Sequence, residues 1–321
     1  MPTVTTAARL HFGFQNLSLA HERLYGGVGL ALAEPRLVVE ADPADELRCD
    51  DEAARPYVER AVETLDVPGA AVSITERFPR HVGLGSGTQL SLAALIAVAR
   101  AHDLTADVRT YAPELGRGGR SGVGVATFLQ GGFVVDGGHP TERFTAEPPA
   151  EGDWEVPPVL ARHNVPADWR FLLVVPDVDH GRSGAAEDRS MRDAVERADP
   201  GIADQISTLL TRELLPAIAT RDRRAFGTAA ATLGRLNGAW YADEQGGVYR
   251  PPAGELVEHL ADAPAITGSG QSSWGPTVWG LTDVDSERAA RDAGRAALDA
   301  AGVDGTVQVV APRNTGADLV E

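Results

Sequence analysis

The spacing of apolar residues divides the chain into elements before any single residue stands out. Alternation in 4-VTTAARLHFGF-14 predicts a first strand, and 27-GVGLALAEPRLVVEA-41 predicts one or two more, broken at Pro35. A helix is predicted over 56-PYVERAVETLD-66, where proline occupies a tolerated first-turn position, and 70-AAVSITERF-78 alternates as a strand. A glycine-rich turn, 81-HVGLGSGT-88, then opens a long helix on which Leu92, Leu95, Ile96 and Ala99 recur at helical spacing, predicting one buried face. Further on, 116-GRGGRSGVGVATFLQ-130 reads as a loop feeding a short helix, and 131-GGFVVDGG-138 as a strand. After a stretch rich in Pro, Glu and Asp between 140 and 168, the strand 170-RFLLVVPDV-178 is followed by helices over 202–220 and 222–238. A Gly/Ser cluster over 264–280, a helix from Ser286 to Gly302 and a strand at 305-GTVQVVAP-312 complete the pattern.

Strands and helices mixed in both halves predict an α+β protein. At 321 residues the chain exceeds what one core comfortably fills, so two domains are expected, 1–160 and 161–321, joined in the Pro/Glu/Asp-rich stretch. The N-terminus MPTVTTAARLHF lacks a basic-then-apolar signal, and no apolar run reaches the length of a membrane span, which predicts a cytoplasmic protein without a membrane partner.

Charge changes the picture further. The chain carries 46 acidic and 29 basic side chains, net −17, and every basic one is arginine, since lysine is absent. Such a surface disfavours nucleic acid. The acidic excess reads as adaptation to high salt; a GC-rich genome would explain arginine in place of lysine but not the excess of acid. Without lysine there is no lysine-bound pyridoxal phosphate, no lysine Schiff base and no GxxxxGK[ST] loop. A single cysteine, Cys49, excludes an intrachain disulfide.

Three glycine clusters remain, and their order is informative: 9-RLHFG-13 with 26-GGVGLAL-32, then 79-PRHVGLGSGT-88, then 268-GSGQSS-273. A glycine-rich turn opening a helix suits phosphate, because unpaired amides and the positive end of the helix dipole face it. The order resembles the GHMP kinase superfamily, whose nucleotide-phosphate loop Pro79 through Ser86 match, with Gly87 where a second serine is usual. The strings RLHFGF, HVGLGSGTQL, GRGGRSGVGV, GGFVVDGGH and GQSSWGPT together resemble one branch of it, the β-ribofuranosylaminobenzene 5′-phosphate synthases of methanopterin biosynthesis. That resemblance, over roughly Arg9 to Ala317, implies a ribosomal-S5-like first domain, a ferredoxin-like second domain and a homodimer. It also implies a reaction: phosphoribosyl diphosphate and an aromatic acid, 4-aminobenzoate or 4-hydroxybenzoate, give a C-riboside 5′-phosphate, carbon dioxide and diphosphate.

Two other readings stay open, an ATP-dependent small-molecule kinase and a non-catalytic binder of a phosphorylated ligand. Many superfamily kinases carry S-G-x-D in the second cluster, whose Asp activates the substrate hydroxyl; here the stretch is S121-G-V-G124, with no acid between Arg117 and Phe133. The transferase chemistry needs anion binding, alignment and Mg2+ on the leaving diphosphate rather than a strong base. Backbone amides and hydroxyls of Gly83, Leu84, Gly85, Ser86, Gly87 and Thr88 are the expected phosphate cradle, helped by Ser121, Gly122, Gly268, Gly270, Gln271, Ser272 and Ser273. Arg9 is the substrate-binding candidate, and Arg120, Asp136, His139 and His11 are the catalytic ones; Ser86 and Glu187 are the metal candidates. The plainer alternatives are a solvent-facing Arg120, a turn carboxylate capping local amides at Asp136, a core histidine at His11 and a packing role for Trp274.

Overall fold

The alternating N-terminal residues form β1 (Thr3–Asn16), and the residues on both sides of Pro35 form one strand, β2 (Arg23–Pro43), antiparallel to it. The expected break at Pro35 does not occur. Pairing with β1 skips from Arg36 to Ala31 across a bulge, so no ladder hydrogen bond is asked of the proline nitrogen. The computed structural model describes residues 1–145, 147, 149–178 and 185–320, with side chains in the last run from Asp188 onward.

Around this pair fold α1 (Arg55–Leu65), β3 (Ala70–Glu76), α2 (Ser86–Ala101), α3 (Val123–Gln130) and β4 (Phe133–Asp136), close to the predicted order. The first sheet runs from Asp318–Val320 through β1, β2 and β3 to Arg48–Cys49, while β4 pairs with the other edge of β2 and with β5 (Val159–His163). The acidic stretch before the expected join thus supplies a strand, and the end of the chain returns to pair with β1. Helix α2 differs from its expected single buried face: Gln89 to Leu95 and Ala97 to Ala99 are all buried, and only Ile96 within that run is half-exposed. The reason is its central place, enclosed by α1, α3, β1 and β2, with small residues such as Ala93, Ala94 and Ala97 permitting close approach.

The second sheet is antiparallel, in the order β9 (Gly305–Val310), β6 (Trp169–Pro176), β8 (Val278–Asp283), β7 (Ser269–Gln271). Helices α4 (Ala185–Arg197), α5 (Pro200–Leu209), α6 (Arg223–Trp240), α7 (Ala253–Ala261) and α8 (Glu287–Ala301) surround it; α4 and α7 escaped the sequence reading, although Ala253, Leu256, Val257 and Leu260 recur at helical spacing on α7. Helix α5 continues through a π turn at Leu210–Leu214 into Leu215–Thr220. Among the described residues no helix is long and apolar enough to cross a membrane.

One aromatic cluster joins the two sheets. Phe226 of α6 meets Phe12 of β1, Phe133 of β4 and Trp169 of β6 with ring centroids 5.1–6.1 Å apart, and Phe12 also meets Trp279 of β8 at 5.0 Å. Because side chains alternate along a strand, Phe12 facing this core turns His11 to the opposite side. A bulge between His11 and Gly13 then ends the regular ladder.

That bulge is held from the second sheet's side. The Asn237 carboxamide accepts from Phe14 N–H (2.6 Å) and donates to Phe14 C=O (2.9 Å), and a Cβ on Gly13 would lie 2.4 Å from it. Only glycine permits this approach. Asn237→Ala is expected to leave both Phe14 backbone groups unpaired and to lower stability by about 1–3 kcal/mol in chemical denaturation. Asn237→Asp keeps the acceptor and should lose less; equal losses would show that the clamp is unimportant.

Candidate functional site

Strand β1, the 81–88 turn and the 272–277 turn converge at one point. Ser272, fully buried, accepts from His11 N–H (3.1 Å) and donates to Gly83 C=O (2.8 Å). Beside it Ser273 N–H bonds His11 C=O and Thr277 N–H bonds Val82 C=O. A Cβ on Gly83 would come within 2.3 Å of the Ser272 carbonyl, so glycine is required by contact as well as by its φ of 87°. From the strand side, Arg9 N–H bonds Leu84 C=O and its guanidinium bonds Gly83 C=O at 2.6 Å.

The turn ends at Gly85, which precedes α2 in a left-handed conformation and offers no capping side chain. The first amides of α2 therefore face outward at the positive end of a 16-residue helix. The Arg9 guanidinium lies against Gly85, about 3.1 Å from where a Cβ would sit. On the other side the Arg117 guanidinium lies 3.7 Å from a Cβ at Gly87, donates to Ser91 Oγ (3.1 Å) and stacks over the Tyr57 ring. Arg120 completes the group and is paired with Asp188.

Of these groups Arg9, His11, Arg117 and Arg120 line a cavity of about 390 Å³, together with Thr88 of the first turn of α2, Ser121 and the acids Glu151 and Asp188. A narrower arm of about 50 Å³ adjoins it, sharing His11, Phe14, Ser273 and Trp274. Arg9 and His11 share the cavity face of β1, as their spacing predicts. Arg117 was not singled out from the sequence; its only signal was the repeated arginine in GRGGR.

The loop bearing both arginines is fixed by buried groups behind it. Asp136 Oδ2 accepts from Gly122 N–H (2.7 Å) and Ser121 Oγ (3.2 Å), and its Oδ1 from Gly138 N–H (2.9 Å). The His139 ring stacks on Phe144 and donates through Nε2 to Gly118 C=O (2.9 Å); Trp154 Nε1 donates to Arg117 C=O (2.9 Å). Ser121 Oγ in turn meets His11 Nε2 at 3.1 Å, so a chain runs Asp136, Ser121, His11 to the cavity wall. Burial raises the Asp136 carboxyl to about 6 against the pull of its amide donors. Burial lowers His11 to about 3, with Arg9 adding to the effect, and His139 to about 4. Both rings are neutral at pH 7.

The other expected site residues separate into distinct places. Thr88, Ser121 and Ser273 line the cavity. Asp136 and His139, expected as catalytic, do not line it and instead hold the loop; the local-amide reading of Asp136 matches its contacts. Ser86 lines a separate small cavity with Asp51 and Arg80. The Leu84 side chain is buried, and Gly122 spends its amide on Asp136. Gln271 is used locally, accepting from Arg250 N–H and donating to Ser273 C=O. Gly268 and Gly270 are packing positions, against Gly227 C=O and the Trp279 indole. The Glu187 side chain lies outside the described residues. Among the described residues no three His, Cys, Asp or Glu side chains come together as metal ligands.

The two histidines set a stability window. Between about 3 and 6.5 for His11, and about 4 and 6.5 for His139, the unfolded chain binds more protons than the folded one. Their contribution is full above pH 6.5 and is lost as pH falls. Asp136, raised from 3.8 to about 6, works the opposite way, and its contribution is lost as pH rises through about 6. From pH 6.5 down to 6 Asp136 takes up part of a proton in the folded chain, but the two histidines together outweigh it, so Tm should already fall there. His139→Gln keeps a donor for Gly118 without the titration and should give a shallower acid slope; an unaltered slope in calorimetry would refute the assignment.

The GHMP kinases N terminal domain matches residues 53–132. The homoserine kinase of Cytophaga hutchinsonii has the same fold, with TM-score 0.68 at 17% identity, covering 99% of this chain and 97% of that one. A protein of Methanothermobacter thermautotrophicus named beta-ribofuranosylphenol 5'-phosphate synthase is 32% identical, over 99% of this chain and 98% of its own. One of the same name from Archaeoglobus fulgidus is 33% identical, over 91% and 92%. On the GHMP kinase fold, with identity of this degree along nearly its whole length, the chain belongs to the beta-ribofuranosylphenol 5'-phosphate synthase family.

Proposed function

We propose that the chain joins phosphoribosyl diphosphate to a 4-substituted benzoate, with loss of carbon dioxide and diphosphate. The observation that carries this reading is a cavity that gathers three guanidiniums beside Thr88 in the first turn of α2 but has glycine, Gly124, where many kinases of the superfamily carry an acid. A Cβ at Gly124 would lie 2.9 Å from the Thr88 methyl, so the wall is closed there by packing. The name of the relatives further supports the pentosyl transfer, and its phenol favours 4-hydroxybenzoate over 4-aminobenzoate.

The chemistry balances without an added base. The C1–oxygen bond of the ribose breaks and its electron pair leaves with diphosphate. The ring carbon bearing the carboxylate forms the new carbon–carbon bond to C1. The bond to the carboxylate then breaks, carbon dioxide departs, and the electron pair restores aromaticity. In this scheme the amides of Ser86 to Thr88 with Arg9 and Arg117 hold the diphosphate and stabilise the charge developing on it. Arg120 grips the second anionic end of a substrate. Neutral His11 and Ser121 line the reaction space without adding positive charge beside an oxocarbenium-like centre. Magnesium enters, on this reading, as an ion carried by the diphosphate, and no step is assigned to it.

Pure protein in high salt with phosphoribosyl diphosphate, magnesium and carboxyl-labelled 4-hydroxybenzoate or 4-aminobenzoate should release labelled carbon dioxide. No release from either acid overturns the proposal, and phosphorylation of a small alcohol by ATP would replace it with the kinase reading. Gly85→Val, at φ 82°, should weaken binding of diphosphate at least tenfold while far-ultraviolet circular dichroism stays native, because the side chain intrudes on the Arg9 guanidinium and the anion's approach. Native diphosphate affinity in that variant would show that the turn is only a connection.

A further inference from the structure

The narrow arm beside the main cavity has no part in holding an anion. Its walls are the rings of Phe14, Tyr241 and Trp274, with Gly234 and Gly238 of α6 on one side. Trp274 and Tyr241 pack at 4.6 Å, and Phe14 meets His11 at 5.0 Å, so the rings are fixed rather than loose. Tyr249 also lines the arm. Its hydroxyl is buried and has no hydrogen-bond partner among the described residues. It stands 4.0 Å from where a Cβ on Gly234 would sit, so a side chain at that position would pack against it.

A buried hydroxyl without a partner costs on the order of 1–3 kcal/mol, which a ligand group placed there would recover. The neighbouring polar side chains do not supply that partner. Asn237 is engaged with Phe14, Gln271 with Arg250 and Ser273, and Gln245 donates to Val248 C=O. The space therefore combines apolar ring walls with one unused hydrogen-bonding group.

Resting on the function proposed above, we propose that this arm is the receptor for the aromatic acid and that the Tyr249 hydroxyl recognises the substituent para to its carboxylate. The para group enters the arm and the ring lies against Phe14 and Trp274. The carboxylate-bearing carbon is then directed back into the main cavity, toward Arg9, Arg117 and Arg120, where the ribose C1 must arrive. A ring held by both ends presents one carbon to the ribose, which is what attack at the carboxylated position requires. Burial raises the Tyr249 pKa, so the hydroxyl stays protonated and can either donate to a phenolic oxygen or accept from a hydroxyl or amino group.

The test uses equilibrium binding and steady-state kinetics on the full chain, with benzoate as the probe that lacks the para group. Tyr249→Phe should weaken 4-hydroxybenzoate binding about tenfold, the worth of one hydrogen bond of roughly 1–1.5 kcal/mol, and leave benzoate affinity and the KM for phosphoribosyl diphosphate unchanged. Equal weakening for benzoate and 4-hydroxybenzoate, or no weakening of either, overturns the assignment of Tyr249 while carbon dioxide release by the unaltered protein upholds the reaction. Absence of carbon dioxide release from the unaltered protein overturns the reaction itself, and with it this proposal.

Discussion

The meeting of β1 with the turn that opens α2 centres on one buried hydroxyl. Ser272 ties β1 to the 81–88 turn by taking a hydrogen bond from His11 and giving one to Gly83, with no exposure to solvent. Three segments distant in sequence are thereby held in contact: the N-terminal strand, the turn before α2 and the turn after β7. Arg9 is drawn into the same junction, its backbone N–H on the Leu84 carbonyl and its guanidinium on the Gly83 carbonyl that Ser272 also engages. Serine suits the place because one oxygen can accept and donate at once.

A second layer explains why Asp136, close behind the cavity, does not line it. Burying Asp136 is unfavourable in itself, and its pKa near 6 records that cost. The amides of Gly122 and Gly138 and the Ser121 hydroxyl offset it, and the result is a loop whose backbone is fixed from behind. His139 and Trp154 grip the same loop through the Gly118 and Arg117 carbonyls. The loop can then be almost all glycine and arginine at its exposed side. Flexibility that glycine would otherwise bring is removed by contacts that cannot be read from the loop's own sequence.

This division marks how far the sequence was legible. Strands β1, β2, β3 and β6 and helices α1, α2, α6 and α8 follow from apolar spacing and turn residues, because local periodicity controls them. Of the residues singled out from the sequence, Arg9, His11, Thr88, Arg120, Ser121 and Ser273 line the cavity. What escaped depends on pairing at long range. Asp318–Val320 is too short to announce a strand, and Asn237 lies on a helix face that only the bulge at Gly13 makes special. Ser272 and Ser273 are adjacent and chemically alike, yet one is a fully buried clasp and the other faces the cavity; a turn with positive φ at Ser273 separates them. Arg117 and Arg120 posed the same difficulty, since composition does not say which of two arginines reaches Gly87.

The lysine-free composition has a consequence for how such a cavity must be built. A lysine can reach an anion on a flexible stem, whereas a guanidinium is planar and rigid, and its direction has to be set by neighbours. Here each arginine has such neighbours: Gly83 for Arg9, Ser91 and the Tyr57 ring for Arg117, Asp188 for Arg120. The same three charges must attract a multiply anionic substrate to a chain of net charge −17. Exposed carboxylates repel at long range, but salt screens charges beyond roughly 8 Å at physiological ionic strength and within about 3 Å at 1 M. The arginines, partly enclosed and close to the ligand, are screened less. High salt therefore removes more of the repulsion than of the attraction, so that an acidic surface and an anion-binding cavity are compatible in one molecule.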